Sequence, residues 1–88
     1  MIGAVIYSGY LATTIPNRQI HYVFIQANVS DPSAAPLTVW LNGGPGCSSL
    51  IGMVQEIGPF LVGNNYNLGE QLTRNEYSWN KISNLLFL

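Results

Sequence analysis

With 88 residues, three basic and four acidic side chains and a formal net charge of −1, the chain offers no basic stripe for a nucleic-acid backbone, because Arg18, Arg74 and Lys81 are dispersed along it. Only 8% of its residues are charged and 48% are hydrophobic, against roughly 25% charged in ordinary soluble proteins, so the composition predicts surfaces that meet more protein and a chain that is one incomplete part of a larger domain. Asn, Gly and Pro interrupt each hydrophobic run before it reaches the roughly 18 to 20 apolar residues of a membrane span, and residues 1–6 lack the length and positive charge of a secretory signal.

In chain order, residues 4–11 and 19–26 are rich in β-branched and aromatic side chains, and Pro16 and Asn17 lie between them, which predicts a hairpin. In the second strand Ile20, Tyr22 and Phe24 alternate with His21, Val23 and Ile25, a pattern that predicts cover on both faces. Residues 28–36, with Asp31, Pro32, Ser33 and Pro36, read as a turn-rich connector, and Asn28-Val29-Ser30 within it is a glycosylation sequon. A buried central strand is expected over 37–41. Leu50, Ile51, Val54 and Ile57 recur at helical spacing and predict a short helix over 48–57, stopped by Gly58-Pro59. Residues 64–75 carry too few apolar side chains for a core element, and 85–88 read as a further buried strand with nothing after it to cover it. A strand pair, a helix-bearing crossover and another strand give an α/β class.

Between the third strand and the helix lies Trp40-Leu41-Asn42-Gly43-Gly44-Pro45-Gly46-Cys47-Ser48-Ser49. A turn with so few side chains turns backbone N–H groups outward, and glycine permits the positive φ angles this requires, so the turn is suited to an anion or to an oxygen that becomes negative during reaction. A phosphate loop needs a lysine after its last glycine, and the only lysine is Lys81. A dinucleotide fingerprint needs a sixth-position glycine where Ser49 stands. The oxyanion loop of an α/β-hydrolase survives both tests. Ser48 and Ser49 read as helix caps and not as a nucleophile, since Leu50 occupies the place of an elbow's last glycine.

The rest of the chain is chemically sparse. His21 reads as a strand side chain, and Trp40 and Trp79 as core. No His, Cys, Asp or Glu group has metal-ligand spacing, so no metal site is expected. Cys47, the only cysteine, could be a nucleophile, a buried apolar side chain or half of a disulfide, and on its own it reads as buried and inert.

The glycine block resembles the hallmark of the serine carboxypeptidases, a family of α/β-hydrolase fold. The following Gly52-Met53-Val54-Gln55-Glu56-Ile57-Gly58-Pro59 is similar to the family's Gly-x-x-x-Glu-x-Gly-Pro stretch. Tyr7-Ser8-Gly9-Tyr10-Leu11 resembles its first strand, and Asn75-Glu76-Tyr77-Ser78-Trp79-Asn80 its Asn-Pro-Tyr-Ser-Trp-Asn block, with Glu76 in place of proline. The resemblance covers essentially the whole chain. It implies that residues 1–88 are the incomplete N-terminal part of a single α/β-hydrolase domain: antiparallel strand pair, central strand, oxyanion loop, short helix and the start of a further strand.

The same resemblance implies an enzyme without cofactor that releases C-terminal residues from peptides through an acyl-enzyme, whose partners are a peptide with a free C-terminus and the remainder of the domain. The Gly44 N–H becomes an oxyanion donor, a role whose loss costs on the order of 10² to 10³ in rate. Asn42, the Gly43 N–H and Glu56 hold the substrate carboxylate, and Glu56 helps only when protonated, which predicts an acid optimum. Spacing alone leaves Glu56 in question, since eight residues of straight helix from Ser48 span about 12 Å. Hydrolases of this fold order their triad Ser, Asp, His, and the chain holds no Gly-x-Ser-x-Gly, so all three are expected after Leu88 and the 88 residues alone are expected to be inactive. Cys47 becomes half of a disulfide whose partner lies outside the chain. The implied location is vacuolar, lysosomal or secreted, in keeping with a glycan at Asn28. Two other readings fit the same block: a carboxypeptidase-like acyltransferase, and a non-catalytic truncated product.

Overall fold

The computed structural model describes residues 4–63 and 72–88. Strands β1 (Ile6–Ala12) and β2 (Gln19–Ile25) form the expected hairpin, in register from Ile6 opposite Ile25 to Ala12 opposite Gln19. Thr13 closes its turn by accepting the Ile15 N–H at 3.2 Å and donating to Arg18 O at 2.8 Å, and Asn17 takes the left-handed conformation at φ 65°. The connector contains a single 3-10 turn, Pro32–Ala34, begun by the Asp31 carboxylate, which accepts the Ser33 N–H at 3.2 Å and the Ser33 hydroxyl at 2.6 Å.

After strand β3 (Leu37–Trp40) and the glycine turn comes helix α1 (Leu50–Gln55). The short strands β4 (Phe60–Leu61) and β5 (Thr73–Arg74) pair with each other, a 3-10 turn spans Trp79–Lys81, and strand β6 (Asn84–Phe87) follows. The main sheet has the order β1-β2-β6-β3, with β6 antiparallel to β2 and parallel to β3. The crossover from β3 to β6 therefore carries α1, as a parallel neighbour requires.

Val23, Ile25, Leu85 and Phe87 from the sheet meet Ile57 from the segment after α1 to form the core, with Trp40, Leu50 and Met53 packed at its border. At the foot of β6 a buried asparagine ties the connector to the sheet: Asn84 Oδ1 accepts the Ala27 N–H at 2.8 Å and Nδ2 donates to Pro32 O at 2.9 Å.

Four expectations are corrected. Among the described residues strand β3 lies at the edge of the sheet, with Leu37 57% and Val39 48% exposed, and β6 lies between β2 and β3. The reason is the crossover, which inserts the later strand between β2 and β3. Strand β6 is consequently covered, with Leu85 and Phe87 fully buried, where the sequence predicts an uncovered strand. Only one face of β2 is buried: Val23 and Ile25 lie in the core, whereas Ile20 is exposed and Tyr22 and Phe24 are half-buried. Helix α1 is also shorter than predicted, six residues against ten. Of the segment 64–75, residues 64–71 lie outside the described residues.

Candidate functional site

The glycine turn takes backbone angles that side chains disfavour. Gly43, Gly44 and Gly46 have φ of 79°, 120° and 91°. A Cβ at Gly44 would also lie 2.9 Å from Cys47 Sγ and 3.0 Å from Cys47 N, so space and backbone conformation both require glycine there. Cys47 N–H bonds Gly43 O at 3.0 Å and closes the turn, and Ser49 N–H bonds Leu88 O at 3.0 Å, fastening the far side to the end of β6. Among the described residues, the N–H groups of Gly43, Gly44 and Gly46 donate to nothing. The turn is exposed throughout residues 43–48.

Asn42 is anchored more firmly than the turn it precedes. Its Oδ1 accepts the Trp40 indole N–H at 2.8 Å and the Gly52 N–H at 3.0 Å, and its own backbone N–H donates to the buried Ser49 Oγ at 3.1 Å. Two donors on one side-chain atom fix the amide orientation, because the flipped form would set an NH₂ group against two N–H groups. Nδ2, which makes no hydrogen bond among the described residues, is left as a donor. Gly52 allows this approach: a Cβ there would lie 2.0 Å from Trp40 Nε1 and 2.8 Å from Asn42 Oδ1.

Because Asn42 meets α1 at Gly52, Glu56 is four residues away along the helix, about 6 Å at 1.5 Å per residue, half the span counted from Ser48. Glu56 is exposed and ends α1, its N–H and that of Ile57 both donating to Gly52 O at 3.1 and 3.0 Å. The carbonyls beyond it, which a helix end leaves without partners, are taken by residues 75–79. Asn75 Nδ2 donates to Glu56 O at 3.2 Å and Gly58 O at 2.9 Å, Asn75 N–H to Pro59 O at 2.8 Å and Trp79 N–H to Ile57 O at 3.0 Å. The Trp79 ring meets Trp40 edge-on, with centroids 5.6 Å apart and planes at 90°.

The family model for serine carboxypeptidases matches residues 3–88. The chain belongs to the serine carboxypeptidase family. It is similar to P-(S)-hydroxymandelonitrile lyase of Sorghum bicolor, 53% identical over 83 residues that cover 92% of this chain. A serine carboxypeptidase of Caenorhabditis elegans is 46% identical, and the lysosomal protective protein of Mus musculus 45%, each over 82 residues covering 93% of this chain. The chain spans 16% of the length of each of these relatives. Among the described residues, its mixed sheet and one short helix agree with the N-terminal part of the α/β-hydrolase fold.

Within this serine carboxypeptidase segment, the two serines expected as caps divide. Ser48 Oγ accepts the Leu50 N–H at 3.2 Å, but Ser49 makes no side-chain cap and serves Asn42 instead. Cys47 is exposed, not buried. His21 is exposed on β2 with its ring against Tyr10, and it borders a shallow hollow shared with Gly46, Cys47 and Ser48. Trp40 is half-buried and Trp79 46% exposed, so neither is core, and both stand beside the site. Asn28 is exposed in the connector, where it borders a separate hollow of about 230 Å³ with Phe60, Arg74 and Lys81, away from the glycine turn. No three of His, Cys, Asp and Glu cluster as metal ligands among the described residues, and no helix there is long and apolar enough to cross a membrane. Sequence reasoning overlooked Trp40, Gly52, Asn75 and Trp79 as parts of the site. The glycine inside a predicted helix and the asparagine-bearing block at 75–80 were the available signals.

Proposed function

We propose that this chain is the oxyanion and carboxylate-holding part of a serine-type carboxypeptidase, which releases C-terminal residues from peptides through an acyl-enzyme. The carrying observation is the Asn42 amide, whose oxygen is occupied by Trp40 and Gly52 while Nδ2 remains a donor, with the undonated Gly43 N–H next in sequence. These two donors suit the terminal carboxylate of a peptide, and the Gly44 N–H suits the oxygen that turns negative when a serine attacks the neighbouring carbonyl. Glu56 completes the cradle. Two carboxylates in contact repel unless they share a proton, so carboxylate binding is strongest at acid pH and is lost as pH rises.

The attacking serine, with its Asp and His, comes from polypeptide outside these residues, as does the disulfide partner of Cys47, and the 88-residue chain is inactive by itself. A lysosomal, vacuolar or secreted location with a glycan on Asn28 fits the named lysosomal relative. The sorghum relative named a lyase supports a second reading, in which the same backbone donors hold a negative oxygen in a different reaction.

The test is binding and turnover by the chain itself. Calorimetric titration of the 88-residue chain with N-acetylphenylalanine is expected to show binding at pH 5 that weakens toward pH 8, with none for the corresponding amide and no peptide hydrolysis in either case. Equal binding of acid and amide would refute the carboxylate cradle, and release of C-terminal residues by the chain would refute the absence of a triad.

A further inference from the structure

Residues 75–80 touch both ends of the proposed cradle, and nothing in the chemistry of a serine peptidase requires them to. At the Glu56 end, Asn75 Nδ2 bridges the carbonyls of Glu56 and Gly58, and the Asn75 side-chain oxygen accepts the Tyr77 N–H at 3.0 Å, so both ends of this buried amide are engaged and its orientation is fixed. Glu56 leaves helical geometry, with φ −130° and ψ −78°, and Asn75 holds the carbonyl of that residue. The Ser78 hydroxyl lies 3.1 Å from Ile57 O, beside the bond from the Trp79 N–H to the same oxygen. Gly58 is pressed onto the helix end so closely that a Cβ would lie 1.9 Å from Met53 O.

At the Asn42 end, contact is made by a ring. Trp79 stands edge-on to Trp40, whose indole N–H sets the Asn42 amide. Three residues separate Asn75 from Trp79, and the 3-10 turn that begins at Trp79 is itself capped by Ser78, which accepts the Asn80 N–H at 3.3 Å. One short, internally bonded block therefore reaches from the Glu56 carbonyl to the ring that orients Asn42.

We infer that Asn75 and Trp79 are positioning residues that set the spacing between the Asn42 amide and the Glu56 carboxyl group, and through it the preference for a free carboxylate. This rests on the carboxylate cradle proposed above. Neither residue touches substrate. Asn75 acts through the Glu56 backbone and Trp79 through Trp40, so loss of either loosens one end of the cradle and leaves its donors chemically intact.

The experiment is calorimetric titration of the 88-residue chain and two variants with N-acetylphenylalanine and its amide, between pH 5 and pH 8. Asn75→Asp keeps the acceptor for Tyr77 N–H and removes the donor to Glu56 and Gly58. It is expected to weaken the acid by at least fivefold at pH 5 and to flatten the pH dependence. Trp79→Ala alters a half-exposed ring and keeps the fold, and it is expected to weaken the acid two- to threefold with the pH dependence retained. Binding of the acid by the unaltered chain, with unchanged affinity and pH profile in Trp79→Ala and in a folded Asn75→Asp, would overturn the positioning role and leave the cradle standing. Failure of the unaltered chain to prefer the acid would overturn both. Should Asn75→Asp not fold, Trp79→Ala decides, and unchanged affinity there overturns the inference.

Discussion

The glycine turn and the block at residues 75–80 make opposite use of the same groups. In the turn, three glycines at positive φ leave their N–H groups undonated in an exposed loop, with one bond, Cys47 N–H to Gly43 O, holding the loop closed. In the block, Asn75, Ser78 and Trp79 all direct donors at the four carbonyls from Glu56 to Pro59, and no buried side-chain polar atom is left without a partner among the described residues. Unsatisfied backbone donors are tolerated in the turn because water reaches them, and they are useful there because a negative oxygen can replace that water. The comparison teaches that the groups able to do chemistry are those left without partners, and that their placement depends on a neighbour in which every group is engaged.

Substitutions can break the comparison from either side. The largest effect is expected where the two regions meet α1. Gly52→Ala puts a Cβ 2.0 Å from Trp40 Nε1, so Trp40 and Asn42 must move, at a cost of about 1–3 kcal/mol for overpacking, together with loss of the Trp40–Asn42 hydrogen bond. A urea melt measures the first and the indole N–H resonance the second. Next, Gly44→Ala, at φ 120° and 2.9 Å from Cys47 Sγ, is expected to cost about 1–3 kcal/mol of backbone strain and to disturb the turn while leaving the Asn75 bonds in place. Amide exchange of the Asn75 and Trp79 N–H groups, which donate to Pro59 O and Ile57 O, distinguishes these outcomes, because faster exchange there would show that the two regions are not separable. The smallest effect belongs to Ser48→Ala, which removes a single exposed bond to the Leu50 N–H and is expected to cost under about 1 kcal/mol.

Much of this was legible in the chain. Alternating β-branched and aromatic residues located the hairpin and β3 to within two residues, and the run at 85–88 located β6 to within one. The glycine block announced its turn, because few other residues reach the φ of Gly43, Gly44 and Gly46. Strand order was not legible: the periodicity of Leu37 to Trp40 says that it is a strand, and only the placement of β6 beside it makes it an edge. The ten-residue apolar spacing likewise overstated α1, since Gly58 turns the chain back against Met53 O and the carbonyls that would continue the helix bond to Asn75 and Trp79 instead. Trp40 and Trp79 read as core by residue type, but Trp40 lies at the core border with its indole N–H on Asn42, and Trp79 stands edge-on to it with nearly half its surface exposed.

The central claim is that the donors at residues 42–44 are placed for a carboxylate or a negative oxygen, and amide chemical shifts read them directly. On titration of the isotopically labelled chain with N-acetylphenylalanine at pH 5, the account predicts saturable shifts of the Gly43 and Gly44 N–H and of the Asn42 side-chain amide, with none from the corresponding amide compound. Shifts spread over the β1–β2 hairpin, or equal shifts from acid and amide, would contradict it.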